Sequence, residues 1–108
     1  MAKHVDLERY LPLSEATFYI LLALAEPMHG YALMQHVEEV SAGQVTIGPG
    51  TLYGAFSTLE KEKLIKMVSE ENRRKIYRLT DKGRQVIQMQ TERLAILYKN
   101  AQKVVAAF

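Results

Sequence analysis

Cysteine and tryptophan are both absent from this 108-residue chain, and proline occurs only three times. Without cysteine there is no disulfide framework, no thiolate metal site and no thiol nucleophile, and an intracellular setting fits. No long hydrophobic run is present either. The longest, Ala16 to Ala25, falls short of the ~20 apolar residues that span a bilayer. Asp6, Glu8 and Glu15 in front of it have the wrong sign for a signal peptide, so the expected location is cytoplasmic, with no membrane contact. Of the three histidines, His29 and His36 share a helical stretch but lie seven apart, with no third ligand at a usual spacing. No metal and no cofactor are expected. Gly48-Pro49-Gly50 resembles the start of a phosphate loop, yet no Gly-Lys-Ser/Thr follows. Spacing supplies no Ser–His–acid set, so the chain is not expected to be an enzyme.

What remains is ordinary globular material of one-domain size, 48% hydrophobic and 24% charged. The net charge of +2 is unevenly placed. Residues 61–82 hold eight Lys/Arg against four acids, or +4, and the rest holds six against eight, or −2. A basic excess confined to one stretch is the electrostatic footprint of a nucleic-acid partner.

That stretch follows the most unusual segment of the chain. Gly48-Pro49-Gly50 cannot be the middle of a helix. From Leu52 the apolar residues Leu52, Ala55, Phe56 and Leu59 share one helical face. The opposite face carries Gly50, Gly54, Ser57 and Lys61, with Tyr53 and Thr58 on its flanks. Solvated faces are usually covered by long charged side chains. Glycines and hydroxyls instead let a large partner approach the backbone, and the helix N-terminus favours phosphate. The spacing thus predicts a helix, Thr51–Lys63, that lies in a DNA groove.

Around it, a short helix is expected near Asp6–Leu11, ended by Pro12. Ser14 caps a helix through Ala16–Ala25 that is apolar on all sides and stopped by Pro27. A second helix runs from Gly30 to Val40, with Tyr31, Leu33, Met34, Val37 and Val40 inward. Gln44–Ile47 reads as a very short strand. Ile65–Ser69 and Lys75–Leu79 form a hairpin whose polar tip is Glu70–Arg74. Thr80 caps a last helix of about 25 residues, interrupted early only by Gly83. Three helices, a hairpin and a helix is the order of a winged helix-turn-helix, a mostly helical α+β fold; a generic α+β domain would show the same elements.

His29-Gly30-Tyr31, Gly50-Thr51-Leu52-Tyr53, Leu59-Glu60-Lys61-Glu62 and the run Arg73 to Gly83 together resemble the PadR family of bacterial transcriptional regulators. The likeness covers Ser14 to about Arg84, and the short tail resembles the smaller members, whose single C-terminal helix makes the dimer. It implies a repressor that blocks polymerase. Relatives commonly have glycine where this chain has Lys63, so the reader helix is expected to end differently here. Relatives also often carry basic residues at Ser57-Thr58, which leaves Lys61 as the main cation of that face. Some relatives hold flat drugs between dimer helices with the help of a tryptophan, which this chain lacks.

Candidate DNA contacts are therefore Thr51, Tyr53, Gly54, Ser57, Thr58 and Lys61 on the helix, and Lys66, Arg73, Arg74 and Lys75 on the wing. On the last helix Ile87, Leu94, Ala101 and Phe108 recur every seven residues, joined by Leu97, Tyr98, Val104 and Val105, with Gln90 breaking the seam. That stripe is longer than a small domain can cover. Residues 1–80 are expected to form the DNA-binding domain and 81–108 a dimerisation helix, giving a homodimer on a two-fold-related operator. An apolar cavity lined by Leu94, Leu97, Tyr98 and N-terminal residues is the candidate effector site at the dimer interface. The competing expectation is a dimerisation adaptor that keeps the winged fold without reading DNA.

Overall fold

The computed structural model describes residues 7–108. A single 3-10 turn at Glu8–Tyr10 is followed by α1 (Glu15–Ala23), the two-residue strand β1 (Met28–His29), α2 (Gly30–Val40) and α3 (Pro49–Lys61). The hairpin strands β2 (Ile65–Glu71) and β3 (Arg74–Leu79) come next, then the long α4 (Asp81–Ala106). The antiparallel sheet has the order β1-β3-β2. This is the mostly helical winged helix-turn-helix expected from the element order.

Local chemistry sets most boundaries. Ser14 Oγ accepts from the Thr17 N–H at the start of α1, and Thr80 Oγ1 accepts from the Gly83 N–H at the start of α4. Each satisfies a donor that the first helical turn leaves unpaired. Pro49 occupies the first turn of α3, where its missing N–H costs nothing, so this helix begins two residues before Thr51. At the wing tip Asn72 and Arg73 both take positive φ, 51° and 64°. Glu71 pairs with Arg74 around them, giving a two-residue primed turn. The strands therefore reach further than Ser69 and Lys75, and the tip is narrower than Glu70–Arg74.

Several expectations are corrected. Gln44–Ile47 is not a strand. Val45 and Ile47 are buried, but no neighbouring strand pairs with them; Ser41 Oγ satisfies both the N–H and the C=O of Val45 instead. The short strand lies earlier, at Met28–His29, opposite Tyr77 and Ile76 of β3. Tyr31 and Val40 of α2 are exposed, whereas Leu33 and Val37 are fully buried. In α1, Ile20, Leu21 and Ala23 are buried while Leu22 is exposed, and the helix ends at Ala23 rather than at Pro27. The expected N-terminal helix is only the Glu8–Tyr10 turn, and Asp6 lies outside the described residues.

The end of α3 is the tightest junction. Lys63 takes a left-handed φ of 63° although it is not glycine. The Leu64 N–H reaches Leu59 O at 2.9 Å and the Lys63 N–H reaches Glu60 O at 3.0 Å, the bond pair of a Schellman stop. The helix thus ends as a glycine would end it, at a cost of about 1 kcal/mol. The start of α4 grips this turn: Thr80 Oγ1 donates to Lys63 O at 2.7 Å and Lys82 Nζ to Glu62 O at 2.9 Å. Gly83 permits the contact, because a Cβ there would strike the Leu64 carbonyl oxygen.

From the other side, the Tyr10 hydroxyl donates to Glu62 at 2.7 Å and Arg9 lies 3.3 Å from the same carboxylate. The Tyr10 hydrogen bond holds the Glu62 carboxyl below the 4.5 of an unperturbed glutamate, against partial desolvation and with help from Arg9, Lys82 and Lys61. A depressed carboxyl lends its support above the unfolded value and loses it as pH falls through the folded one. This tie between the N-terminal turn and α3 is therefore complete at neutral pH and weakens in acid.

The first turns of α4 belong to the core, with Val86 fully buried and Ile87 packed against it. Gln90 is buried as well, and its Oε1 accepts from the Leu13 N–H at 2.9 Å. The polar break in the apolar stripe is thus a tether for the N-terminal segment. Beyond it, every residue from Thr91 to Phe108 is exposed.

Replacing Gly83 by alanine tests the junction. On an ordinary helix surface alanine would be favoured by ~1 kcal/mol, but forcing a methyl against a fixed backbone oxygen costs about 1–3 kcal/mol. The Gly83→Ala protein should unfold at lower urea than the parent, and an unchanged or raised midpoint would show that the contact is not close.

Candidate nucleic-acid interface

The buried face of α3 is Leu52, Phe56 and Leu59, which seats the helix on the core and fixes what points outward. Thr51, Tyr53, Gly54, Ser57, Thr58 and Lys61 are all exposed, as the periodicity predicts. A Cβ built at Gly50 or Gly54 would meet nothing within 4 Å. At these two positions the outer face of the helix is bare backbone with open space above it. No side chain caps its N-terminus at Gly48, unlike those of α1, α2 and α4.

Tyr53 is 55% exposed and lies half along the protein. Its ring crosses the start of α2 so closely that a Cβ at Gly30 would come within 2.8 Å of the hydroxyl. An edge contact to Phe56 (6.0 Å between centroids) and a tilted contact from Phe56 to Tyr77 (4.7 Å) continue the row of rings into the wing. Burial, with Glu60 adding to it, pushes the Tyr77 phenol up, so it stays neutral at physiological pH.

Between α3, the start of α2 and β3 lies an open cleft of about 550 Å³. Tyr53, Ser57, Arg73, Arg74 and Lys75 line it, together with His29, Tyr31 and Glu60, which the sequence reading did not place there. The fold thus brings five of the candidate contacts into one cleft, while Thr51, Gly54, Thr58 and Lys61 remain on the adjoining face of α3. Lys66 lies elsewhere. It pairs with Arg78, and by strand alternation both face away from the side that carries Tyr77, beside Asp81 and Arg84 at the wing base. Among the described residues Arg73, Arg74 and Lys75 form no salt bridge, so their charge is open to a partner. The arrangement suits a polyanion: a basic ridge beside a helix face left open at Gly50 and Gly54. No group of acids and histidines placed to hold a metal ion occurs among the described residues.

The candidate dimer residues divide into two groups. Ile87 packs on its own core, whereas Leu94, Leu97, Tyr98, Ala101, Val104, Val105 and Phe108 are exposed, Phe108 by 94%. Ile96 is also exposed and lies on the far side of the helix, off the stripe. An apolar cavity of about 310 Å³ lies between α1 and α4, lined by Leu94 with Leu13, Phe18, Tyr19 and Leu22. Leu97 and Tyr98 are not part of it; Leu97 borders a neighbouring groove with Pro12 and Leu94.

Comparison with known proteins agrees with this geometry. Residues 13–89 match the transcriptional regulator PadR-like family. A 37.1 kDa protein in a transposon of Streptomyces fradiae is 36% identical over 85 residues, covering 78% of this chain and 24% of that protein. The transcriptional regulator YqjI of Escherichia coli is 29% identical over 91 residues, covering 83% and 44%. The chain therefore spans less than half the length of these relatives. Among solved structures, a transcriptional regulator from Clostridium thermocellum is 28% identical, with a TM-score of 0.67 over 91% of this chain and 96% of that one. No helix among the described residues is long and apolar enough to cross a membrane.

Two glycine substitutions separate the close contact from the bare face. Gly54→Ala, in open space in mid-helix, should stabilise the fold by ~0.5–1 kcal/mol. Gly30→Ala should destabilise it, because the Tyr53 ring has to move. Thermal melts of both variants check this, and a stabilised Gly30→Ala would mean that Tyr53 does not rest on α2.

Proposed function

The chain belongs to the PadR-like family of transcriptional regulators, and from that premise we propose that it binds double-stranded DNA as a homodimer and acts as a repressor. The observation that carries the reading is the outer face of α3, where Gly50 and Gly54 leave open space and Tyr53 and Ser57 share a cleft with the arginines of the wing. In this reading α3 enters the major groove. Thr51, Tyr53, Ser57 and Thr58 approach base edges, and Arg73, Arg74, Lys75 and the N-terminus of α3 hold phosphates.

The dimer reading is supported by α4. Its 26 residues extend about 39 Å at ~1.5 Å per residue. Leu94, Leu97, Tyr98, Val104, Val105 and Phe108 lie on one exposed stripe that none of the described residues covers. The same stripe of a second copy is the simplest cover, and pairing along a two-fold axis would present two α3 helices to a two-fold-related operator. Residues 1–80 then read DNA and residues 81–108 join the copies, although the first turns of α4 also complete the core. The cavity between α1 and α4 is the candidate site for a small apolar effector.

One observation favours the adaptor reading: Glu60 places a carboxylate on the wall of the basic cleft. The following variants decide between the two. Gly54→Leu should fold nearly as well as the parent yet lose duplex binding by more than tenfold, ~1.4 kcal/mol. Normal binding by that variant would mean that α3 stays out of the groove. Arg73→Ala with Arg74→Ala should weaken specific and random duplexes about equally. It should also lower the slope of log affinity against log salt by roughly 1 per lost phosphate contact in each subunit; an unchanged slope would leave the arginines in solvent.

The dimer has its own test. Leu94→Glu or Leu97→Glu places an unpaired charge in the stripe, where burial is strongly unfavourable. Sedimentation should show a monomer, and a dimer of unchanged strength would assign the interface elsewhere.

A further inference from the structure

The end of β1 and the start of β3 hold a pair of donors that the fold leaves facing one another. His29 is the N-cap of α2, and its Nδ1 accepts from the Ala32 N–H at 3.2 Å. A ring nitrogen that accepts carries no proton, so the proton of the neutral imidazole sits on Nε2. That Nε2 lies 3.4 Å from Arg74 Nη1. Both atoms are donors, and a guanidinium never accepts, so the contact is not a hydrogen bond between them. Both side chains lie on the wall of the cleft between α3 and the wing. Arg74 is held there over the Tyr31 ring, 5.7 Å from its centroid, and no salt bridge among the described residues claims its charge.

We propose that His29 Nε2–H and Arg74 together clasp one backbone phosphate of the bound duplex. This rests on the DNA-binding reading above and adds His29 to it as a direct contact. Two donors 3.4 Å apart can both reach the oxygens of a single phosphate at about 2.8–3.0 Å. The cap fixes the tautomer, so the ring offers Nε2–H before DNA arrives and no proton has to move. Strand β1 is what makes this work: His29 pairs opposite Ile76, which sets the start of α2 beside the wing strand. A neutral donor adds a hydrogen bond without releasing a counterion, so its signature differs from that of the arginine.

The test uses His29→Asn, which keeps a side-chain acceptor for the cap but is too short to place a donor where Nε2 was. Affinity for a 20-base-pair duplex of arbitrary sequence is measured against salt for the parent, His29→Asn, Arg74→Ala and the double variant. His29→Asn should melt near the parent temperature and bind several-fold more weakly, with an unchanged salt slope. Arg74→Ala should lower the slope by about 1 per subunit. The double variant should lose less than the sum of the two, because both groups hold one phosphate. His29→Asp, also a good cap, should lose more than tenfold, since its carboxylate would face the phosphate. Parent-like binding by His29→Asn and His29→Asp, or strictly additive losses, would overturn the clasp while leaving DNA binding intact. A parent that binds no duplex at all would remove the reading beneath it as well.

Discussion

The close approach of Gly83 to the Leu64 carbonyl is the contact on which the rest of the molecule depends. It joins the end of α3, the first residue of the wing and the start of the long helix. Lys63 accepts a left-handed backbone there, and Thr80 and Lys82 bond the carbonyls that the helix end leaves over. Moving any one of these three elements would break hydrogen bonds belonging to the other two. The angle between α3 and the wing, which shapes the cleft, and the direction in which α4 leaves the domain are therefore set at one place.

Electrostatics then follows from shape rather than from total charge. A net charge of +2 would attract DNA weakly if it were spread evenly. The hairpin gathers Arg73, Arg74 and Lys75 at one edge of the cleft, and α3 next to them carries almost nothing that would hold DNA away. In the proposed complex its one cation on the outer face, Lys61, leaves the phosphate contacts mainly to the wing. Glu60 sits on the cleft wall near Tyr77, and its charge opposes nonspecific attraction of a polyanion there.

Features written in a few neighbouring residues were legible in the sequence. The Ser14 and Thr80 caps, the bare face of α3 and the hairpin all rest on spacings of two to four residues. What failed depended on distant partners. Gln44–Ile47 alternates like a strand because Val45 and Ile47 are buried, yet Ser41 rather than a strand satisfies that backbone. Met28–His29 is too short to show a pattern and exists only because β3 lies alongside it. Tyr31 looked like core by residue type, but it is exposed beside Arg74. Gln90 looked like a flaw in the apolar stripe, because its partner, the Leu13 backbone, is 77 residues away. For the same reason His29 could not be recognised as part of the cleft. The expectation that Lys63 would force a different helix end failed because tertiary hydrogen bonds outweigh a local backbone cost of about 1 kcal/mol.

Selection of duplexes from a random pool by the full chain tests the central claim most directly. A homodimer that lays two α3 helices into successive major grooves should enrich an inverted repeat, its half-sites about one helical turn apart, and keep it as salt is raised. A pool that emerges with no shared motif, or that is lost entirely at moderate salt, would contradict sequence-specific DNA recognition by this protein.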